Sequence, residues 1–363
     1  REHRMPLISK IIAFAIAALV ACSSPSAERY SRKQAQKSLT RLETTGLTIG
    51  EFRLTKVVDG DTIKVDGLDA SLRLLGFDAE ETFKSEGDRR AFEGGWEKYK
   101  TEKRGTSPRP VKFPTPLGEE AKEFAIKFFD GVEKVRLERD HPAEIRDRYN
   151  RYLAYVFAQK NGQWVSYNVE CVRAGMAPYF PKYGQSRRFH KEFVEAEAEA
   201  KAKQLGIWAP GAQAYSDYPE REAWWTARGE FMEQFRKEAE GKPNYIDITH
   251  WDALTRLEEL LGKEVVVIGT VGDVRIGEKG PTRVTLSRQQ TSDFPLIFFD
   301  KDVLGTSGIA NWKGELVIVT GVPTIYENKH NHKKQVQIVI DRASQIRLSS
   351  VPGLTIPTVP VTP

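Results

Sequence analysis

The sequence predicts an α+β protein, mainly β: a small five-stranded barrel carrying three helices, then a linker helix and a second, similar barrel. Three observations predict it. Five short alternating runs lie between residues 49 and 160, with a helical stripe inserted after the third. A long amphipathic segment, Pro219 to Glu240, is broken by Gly241-Lys242-Pro243. Beyond it comes a second succession of alternating runs, from Glu264 to Leu348.

With 363 residues the chain has room for both barrels. A hydrophobic content of 40% beside 29% charged residues excludes disorder and a multi-span membrane protein. The net charge of +5 suits an anionic partner but is too small to select one. Two cysteines, Cys22 and Cys171, provide no disulfide framework, so each barrel must rely on its own core. Six segments follow: 1–22, 23–48, 49–210 with an insertion at 83–116, 211–247, 248–349 and 350–363.

Residues Ile11 to Ala21 form an apolar run behind Arg4 and Lys10, too short to span a bilayer and the length of an export signal. It closes as Leu19-Val20-Ala21-Cys22 and, counted from Met5, resembles the lipobox of bacterial lipoproteins. That resemblance implies a lipid on Cys22 and an exported, membrane-anchored cell-envelope protein. Residues 23–48 read as a polar tether.

In the first barrel, strands are expected at Phe52–Val58, Thr62–Val65 and Leu72–Phe77, and a helix at Glu119–Asp130. Strands at Val132–Arg139 and Tyr152–Ala158 follow, then a helix at Ser166–Ala174 and a longer one at Arg187–Leu205 stopped by Gly206. This order fits a Greek-key barrel of the OB type. Cys171, inside the Ser-capped helix, reads as a small buried hydrophobe.

The chemistry concentrates at Val57-Val58-Asp59-Gly60-Asp61-Thr62 and its partner Leu72-Arg73-Leu74-Leu75-Gly76-Phe77-Asp78-Ala79-Glu80-Glu81. An Asp-Gly hairpin explains Asp59 and Gly60. It does not explain Asp61, Asp78 and Glu81 gathered around one inward Arg73. Convergent carboxylates require a cation and the arginine an anion, and a hard metal with a phosphate satisfies both. A surface ion pair would account for any one of these residues, but not for all in register.

These motifs, with DRYNRYLAYVF, NVECVRAGMA and EAEAEAKAKQLGIW, occur in the order seen in staphylococcal nuclease and its homologues, which residues 49–208 resemble. The resemblance implies a calcium-dependent nuclease that cleaves DNA or RNA and leaves 3′-phosphates. It implies Asp61, Asp78 and the backbone carbonyl of Ala79 as calcium ligands, Glu81 as general base, Arg73 and Arg151 as phosphate-binding arginines, and Tyr149 and Tyr183 as nucleotide-pocket residues. The chain departs from the family pattern at Ala79-Glu80, where Thr-Pro is common, and at Pro181, where a pocket tyrosine is common. No obligate protein partner is implied.

The insertion at 83–116 interleaves aromatics with cations and reads either as a substrate-contacting flap or as a mobile solvated loop. The stripe Trp224, Trp225, Phe231 and Phe235 reads as packing core. Thr249-His250-Trp251-Asp252 reads as a capping box before a short leucine-rich helix. Strands are then expected at Glu264–Val274, Arg283–Ser287, Leu296–Phe299, Leu316–Val322, Val336–Ile340 and Ile346–Leu348. Residues 250–349 resemble an OB-fold nucleic-acid-binding domain. Its candidate contacts are Arg275, Lys329, Lys333 and Lys334, in the loops that flank the binding face of that fold. His330 and His332 read as a solvated hairpin tip, and the Pro-Val-Thr tail as disordered or extended. Competing readings for the whole are a non-catalytic nucleic-acid-binding protein and an envelope structural lipoprotein.

Overall fold

A computed structural model describes residues 46–288 and 293–354. The expected signal, Cys22, the tether through residue 45 and the tail from residue 355 lie outside the described residues. No helix among the described residues is long and apolar enough to cross a membrane.

The first sheet begins with β1 (Thr48–Asp59), which turns at Gly60-Asp61 into β2 (Thr62–Val65), followed by β3 (Leu72–Leu74). β4 (Lys134–Glu138) and β5 (Tyr152–Lys160) lie on the other side of β1, and β6 (Gln163–Ser166) extends the edge, giving the order β3-β2-β1-β4-β5-β6. Parallel pairing of β3 with β5, Leu72 opposite Tyr152, closes the barrel. Ile63, Leu72, Leu74, Val135, Leu137, Ala154 and Val156 fill it at 0–1% exposure. The expected α+β class and five-stranded OB-type barrel are therefore present. Gly60 is required by close approach and not by a positive φ: a Cβ there would come within 2.8 Å of both Ala79 and Ala121.

The insertion is folded and is not a solvated loop. It forms α1 (Glu86–Glu93), capped by Ser85, and α2 (Trp96–Arg104). Phe92, Trp96 and Tyr99 fall at helical spacing and turn inward, where Tyr99 is fully buried against Phe83, Phe92, Trp96 and Phe113. α3 (Pro116–Phe128) starts three residues earlier than expected, because Thr115 caps it and Pro116 opens it. α4 (Tyr167–Arg173) has the expected Ser166 cap and buries Cys171 completely. α5 (His190–Ala202) is shorter than expected. Asp140 takes the Arg187 N–H before the helix begins.

α6 (Tyr218–Glu238) buries Trp224, Trp225, Phe231 and Phe235, as the stripe required. After β7 (Tyr245–Asp247) and α7 (Ala253–Glu259) comes the second barrel: β8 (Val265–Arg275), β9 (Thr282–Ser287), β10 (Phe294–Phe298), α8 (Lys301–Ser307), β11 (Leu316–Gly321), β12 (Pro323–Glu327), β13 (Lys334–Ile340) and β14 (Ile346–Leu348). The expected capping box is absent: Asp252 makes no side-chain cap, and Thr249 bonds back to Asp247. The strand expected at Leu316–Val322 stops at Gly321, and Pro323 starts a new one. β11 pairs with β8 and β12 with β13, so this corner closes the barrel.

The described residues form one compact unit. Arg228 of α6 is fully buried and pairs with Glu315 beside β11 at 2.8 Å, and Trp224 Nε1 donates to the same carboxylate at 3.0 Å. The Trp251 N–H donates to the Ala143 carbonyl, joining the 141–151 loop to the second barrel directly.

Candidate active site

The pairing of Thr62 in β2 with Arg73 in β3 brings Asp61, in the turn just before β2, beside Arg73. The chain then leaves β3 through Gly76, at φ +82°, and brings Asp78 back to the same guanidinium. Arg73 is bonded by Asp61 through Nη1 and by Asp78 through Nη2, and both carboxylates are buried. Burial alone would raise their pKa values. The Arg73 charge outweighs it for Asp61, and Lys112 with Arg73 outweigh it for Asp78, which lies well below the ordinary carboxylate range.

Two insertion lysines enter the site. Lys112 Nζ lies 2.5 Å from Asp78 Oδ1, and Lys84 Nζ lies 3.5 Å from both Glu81 Oε2 and Asp59 Oδ2. Glu81 keeps a side chain 36% exposed at the rim, while its backbone is pinned by the Thr115 N–H and by Pro114. The start of α3 presses on that segment so closely that a Cβ on Gly118 would sit 2.1 Å from the Glu81 carbonyl oxygen.

Glu80, where the family pattern fails, points away from the acidic cluster. It is 1% exposed and accepts from the Tyr215 N–H at 2.7 Å, from the Tyr218 hydroxyl at 2.6 Å and from the Thr115 hydroxyl. Burial raises its pKa against these three donors. Glu80 thus ties the turn after Asp78 to α6 and does not join the acidic cluster. Its partners lie 35, 135 and 138 residues away, and nothing local in the sequence signals them.

Arg151 immediately precedes β5, and the Leu72–Tyr152 register sets it beside the Arg73 strand. Its guanidinium is held by Asp147 at 2.7–2.8 Å, with Tyr149 beneath it at 5.6 Å, so no bond joins it to Asp61 or Asp78. Tyr149 and Tyr183 are 61% and 62% exposed, available as faces and not part of the core. Ala79 is buried and donates its N–H to Asp61 Oδ2 at 3.2 Å. In the second barrel Arg275 ends β8, Lys329 and Lys333 lie in the β12–β13 turn and Lys334 opens β13, all exposed. His332 bonds Glu327 at the same tip.

The acidic site suits a hard cation. Its donors are all oxygens, its two innermost carboxylates converge on one cation, and Asp59 Oδ1 is buried without a hydrogen-bond partner. A separate grouping, His141, Glu144 and His250, brings its ligand atoms within 4.8 Å of one another. There Arg187 and Arg236 each approach the Glu144 carboxylate to 3.7 Å, so it is already balanced as an ion-pair network.

A five-stranded barrel with an arginine clasped between two carboxylates at the β2–β3 hairpin places an OB-type frame around a buried charged cluster. The family model of staphylococcal nuclease homologues matches residues 71–210. The chain is 33% identical to the thermonuclease of Staphylococcus intermedius over 164 residues, 44% of this chain and 77% of that one. It is 32% identical to an uncharacterized protein of Methanocaldococcus jannaschii over 158 residues, 43% and 70% of the two chains. An SPbeta prophage-derived endonuclease of Bacillus subtilis is 29% identical over 161 residues, 44% of each chain. This chain belongs to the staphylococcal nuclease homologue family, whose nucleases use a metal ion. The second barrel lies outside the matched family segment.

Proposed function

We propose that this chain is a calcium-dependent nuclease, anchored in the cell envelope through Cys22, whose second barrel binds nucleic acid. Hydrolysis of phosphodiester bonds by a metal-using nuclease follows from the family; calcium, the anchor, the 3′-phosphate products and the role of the second barrel are our reading. The observation that carries it is the clasp of Asp61, Arg73 and Asp78 with Glu81 at its open edge.

Asp61, Asp78 and the Ala79 carbonyl would hold calcium, which when bound supplies positive charge against the phosphoryl oxygens. Arg73, once released from the carboxylates, offers its fork to the scissile phosphate, and Arg151 adds a second fork from β5. Glu81, the carboxylate left half open to solvent, accepts the proton of the attacking water. The protein's contribution is electrostatic preorganisation: donors aimed at oxygens that gain charge as the bond breaks. Export and lipidation are supported by the apolar run Ile11 to Ala21 and the Leu19-Val20-Ala21-Cys22 ending, and a lipid label lost in C22S would establish them.

The test is cleavage of single-stranded DNA and RNA with calcium and after chelation. E81Q should lower kcat by about 10²–10⁴ and R151A by about 10²–10³. Calcium-dependent cutting that survives in the E81Q/R151A double variant would refute the site assignment.

A further inference from the structure

Among the described residues, one cation beside this site has no counterion. Lys182 lies in the segment after α4, whose backbone is laid along the end of the Arg73 strand: the Phe180 N–H donates to the Gly76 carbonyl, and Tyr179 bridges to Phe77. Its own carbonyl accepts from Arg228 Nε at 3.1 Å, so α6 fixes the position of the residue. Its ammonium lies 4.1 Å from the centroid of the Trp224 ring and 5.8 Å from that of Tyr183, and it makes no ion pair with any described carboxylate.

The two carboxylates whose fields reach it, Asp78 and Glu315, are committed elsewhere. Asp78 is bonded to Arg73 and Lys112, and Glu315 to Arg228 and Trp224. Desolvation, with Arg228 and Lys112 adding like charge, pushes the Lys182 pKa down to about 8. A half-buried ammonium held between aromatic faces, with its neighbouring anions already paired, is a cation prepared for an incoming anion.

We infer that Lys182 binds a phosphate of the polynucleotide next to the one being cleaved, with the exposed ring of Tyr183 as the adjoining base platform. Its effect is therefore confined to strands that reach past the scissile phosphodiester, and it rests on the nuclease reading above. It also gives the linker helix and the second barrel a task at the active site: Arg228, locked by Glu315, sets the height of Lys182. Lys182 is a binding residue here and takes no part in bond breaking.

The experiment compares wild type, K182M and K182R, as the full chain, on single-stranded octathymidylate and on thymidine 5′-(4-nitrophenyl phosphate). K182M should raise KM for the octamer about tenfold while kcat/KM on the small ester stays within about twofold, and K182R should keep most of the octamer affinity. Fluorescence anisotropy on labelled octathymidylate should show weaker binding by K182M and a salt slope reduced by about 0.7. Equal losses on both substrates, or a loss on neither, would overturn the assignment and leave Lys182 as packing for Trp224. If wild type cleaves neither substrate with any divalent cation, the nuclease reading fails, and the anisotropy difference still decides Lys182.

Discussion

The two barrels of this chain share one wiring and differ in what they bury. Each opens with a long strand that pairs on both sides: β1 with β2 and β4, and β8 with β9 and β11. Each closes through a parallel pair, β3 with β5 and β10 with β13. In the second barrel the interior is apolar throughout β10, β11 and β13, with Leu296, Val317, Val319 and Ile338 at 0% exposure. In the first, Asp61, Arg73 and Asp78 are drawn inward at the β2–β3 hairpin. The barrel itself requires only alternation of apolar residues. The charged cluster is an addition that burial opposes, and it persists because each charge has a partner. The same fold thus occurs once with a charged cluster at its hairpin and once with an apolar interior alone.

The sharpest way to break this comparison is at the joint between the barrels. R228M takes from buried Glu315 its shortest ion pair, leaving only Arg109 at 3.4 Å and the Trp224 N–H, and should destabilise the whole unit by up to about 3–5 kcal/mol in chemical denaturation. An R228M/E315L double variant should recover much of that. If R228M unfolds only the second barrel and leaves the first at wild-type stability, the two are less coupled than the shared buried pair requires.

A smaller effect comes from the second contact between the barrels, where His250 faces Glu144, Asp247, Asp252 and the stacked ring of His141, with Arg187 and Arg236 behind Glu144. Burial alone would lower the His250 pKa, but Glu144 and Asp247 outweigh it and hold it above 6.5. A raised folded-state pKa means that this stabilisation is full below about pH 6.5 and is lost as pH rises through the folded value. Tm measured from pH 5.5 to 8.5 should therefore fall on the alkaline side, and H250Q should flatten that part of the profile. Burial likewise opposes Glu144, yet His250 and the two arginines bring its pKa to about 2, so its contribution is lost only in strong acid and does not mask the histidine.

The smallest effect distinguishes the barrels by surface charge. Lys329, Lys333 and Lys334 lie at an exposed turn, and their triple alanine variant should change stability by under about 0.5 kcal/mol. It should reduce the salt dependence of binding to single-stranded DNA by about 0.7 for each phosphate that the variant no longer neutralises. An unchanged slope would mean that the second barrel supports the active site without touching the strand.

Local pattern was enough for both barrels, because period-2 alternation and turn residues act over a few positions. It was also enough for Ser166 as a helix cap, for Cys171 as core, and for the gathering of Asp61, Arg73 and Asp78, which lie within one hairpin and the turn that follows it. The insertion carried a readable signal in the spacing of Phe92, Trp96 and Tyr99, though its cations suggest an open loop. What only the tertiary structure decided is how distant segments meet. Glu80 turned out to anchor Tyr218, Lys112 to reach Asp78, and Arg228 to join Glu315 while holding Lys182. Each of these residues is an ordinary exposed charge when read along the chain. Its role arises when folding brings distant partners within reach, for Glu80 and Arg228 with the removal of water as well, and no spacing in the sequence encodes those partners.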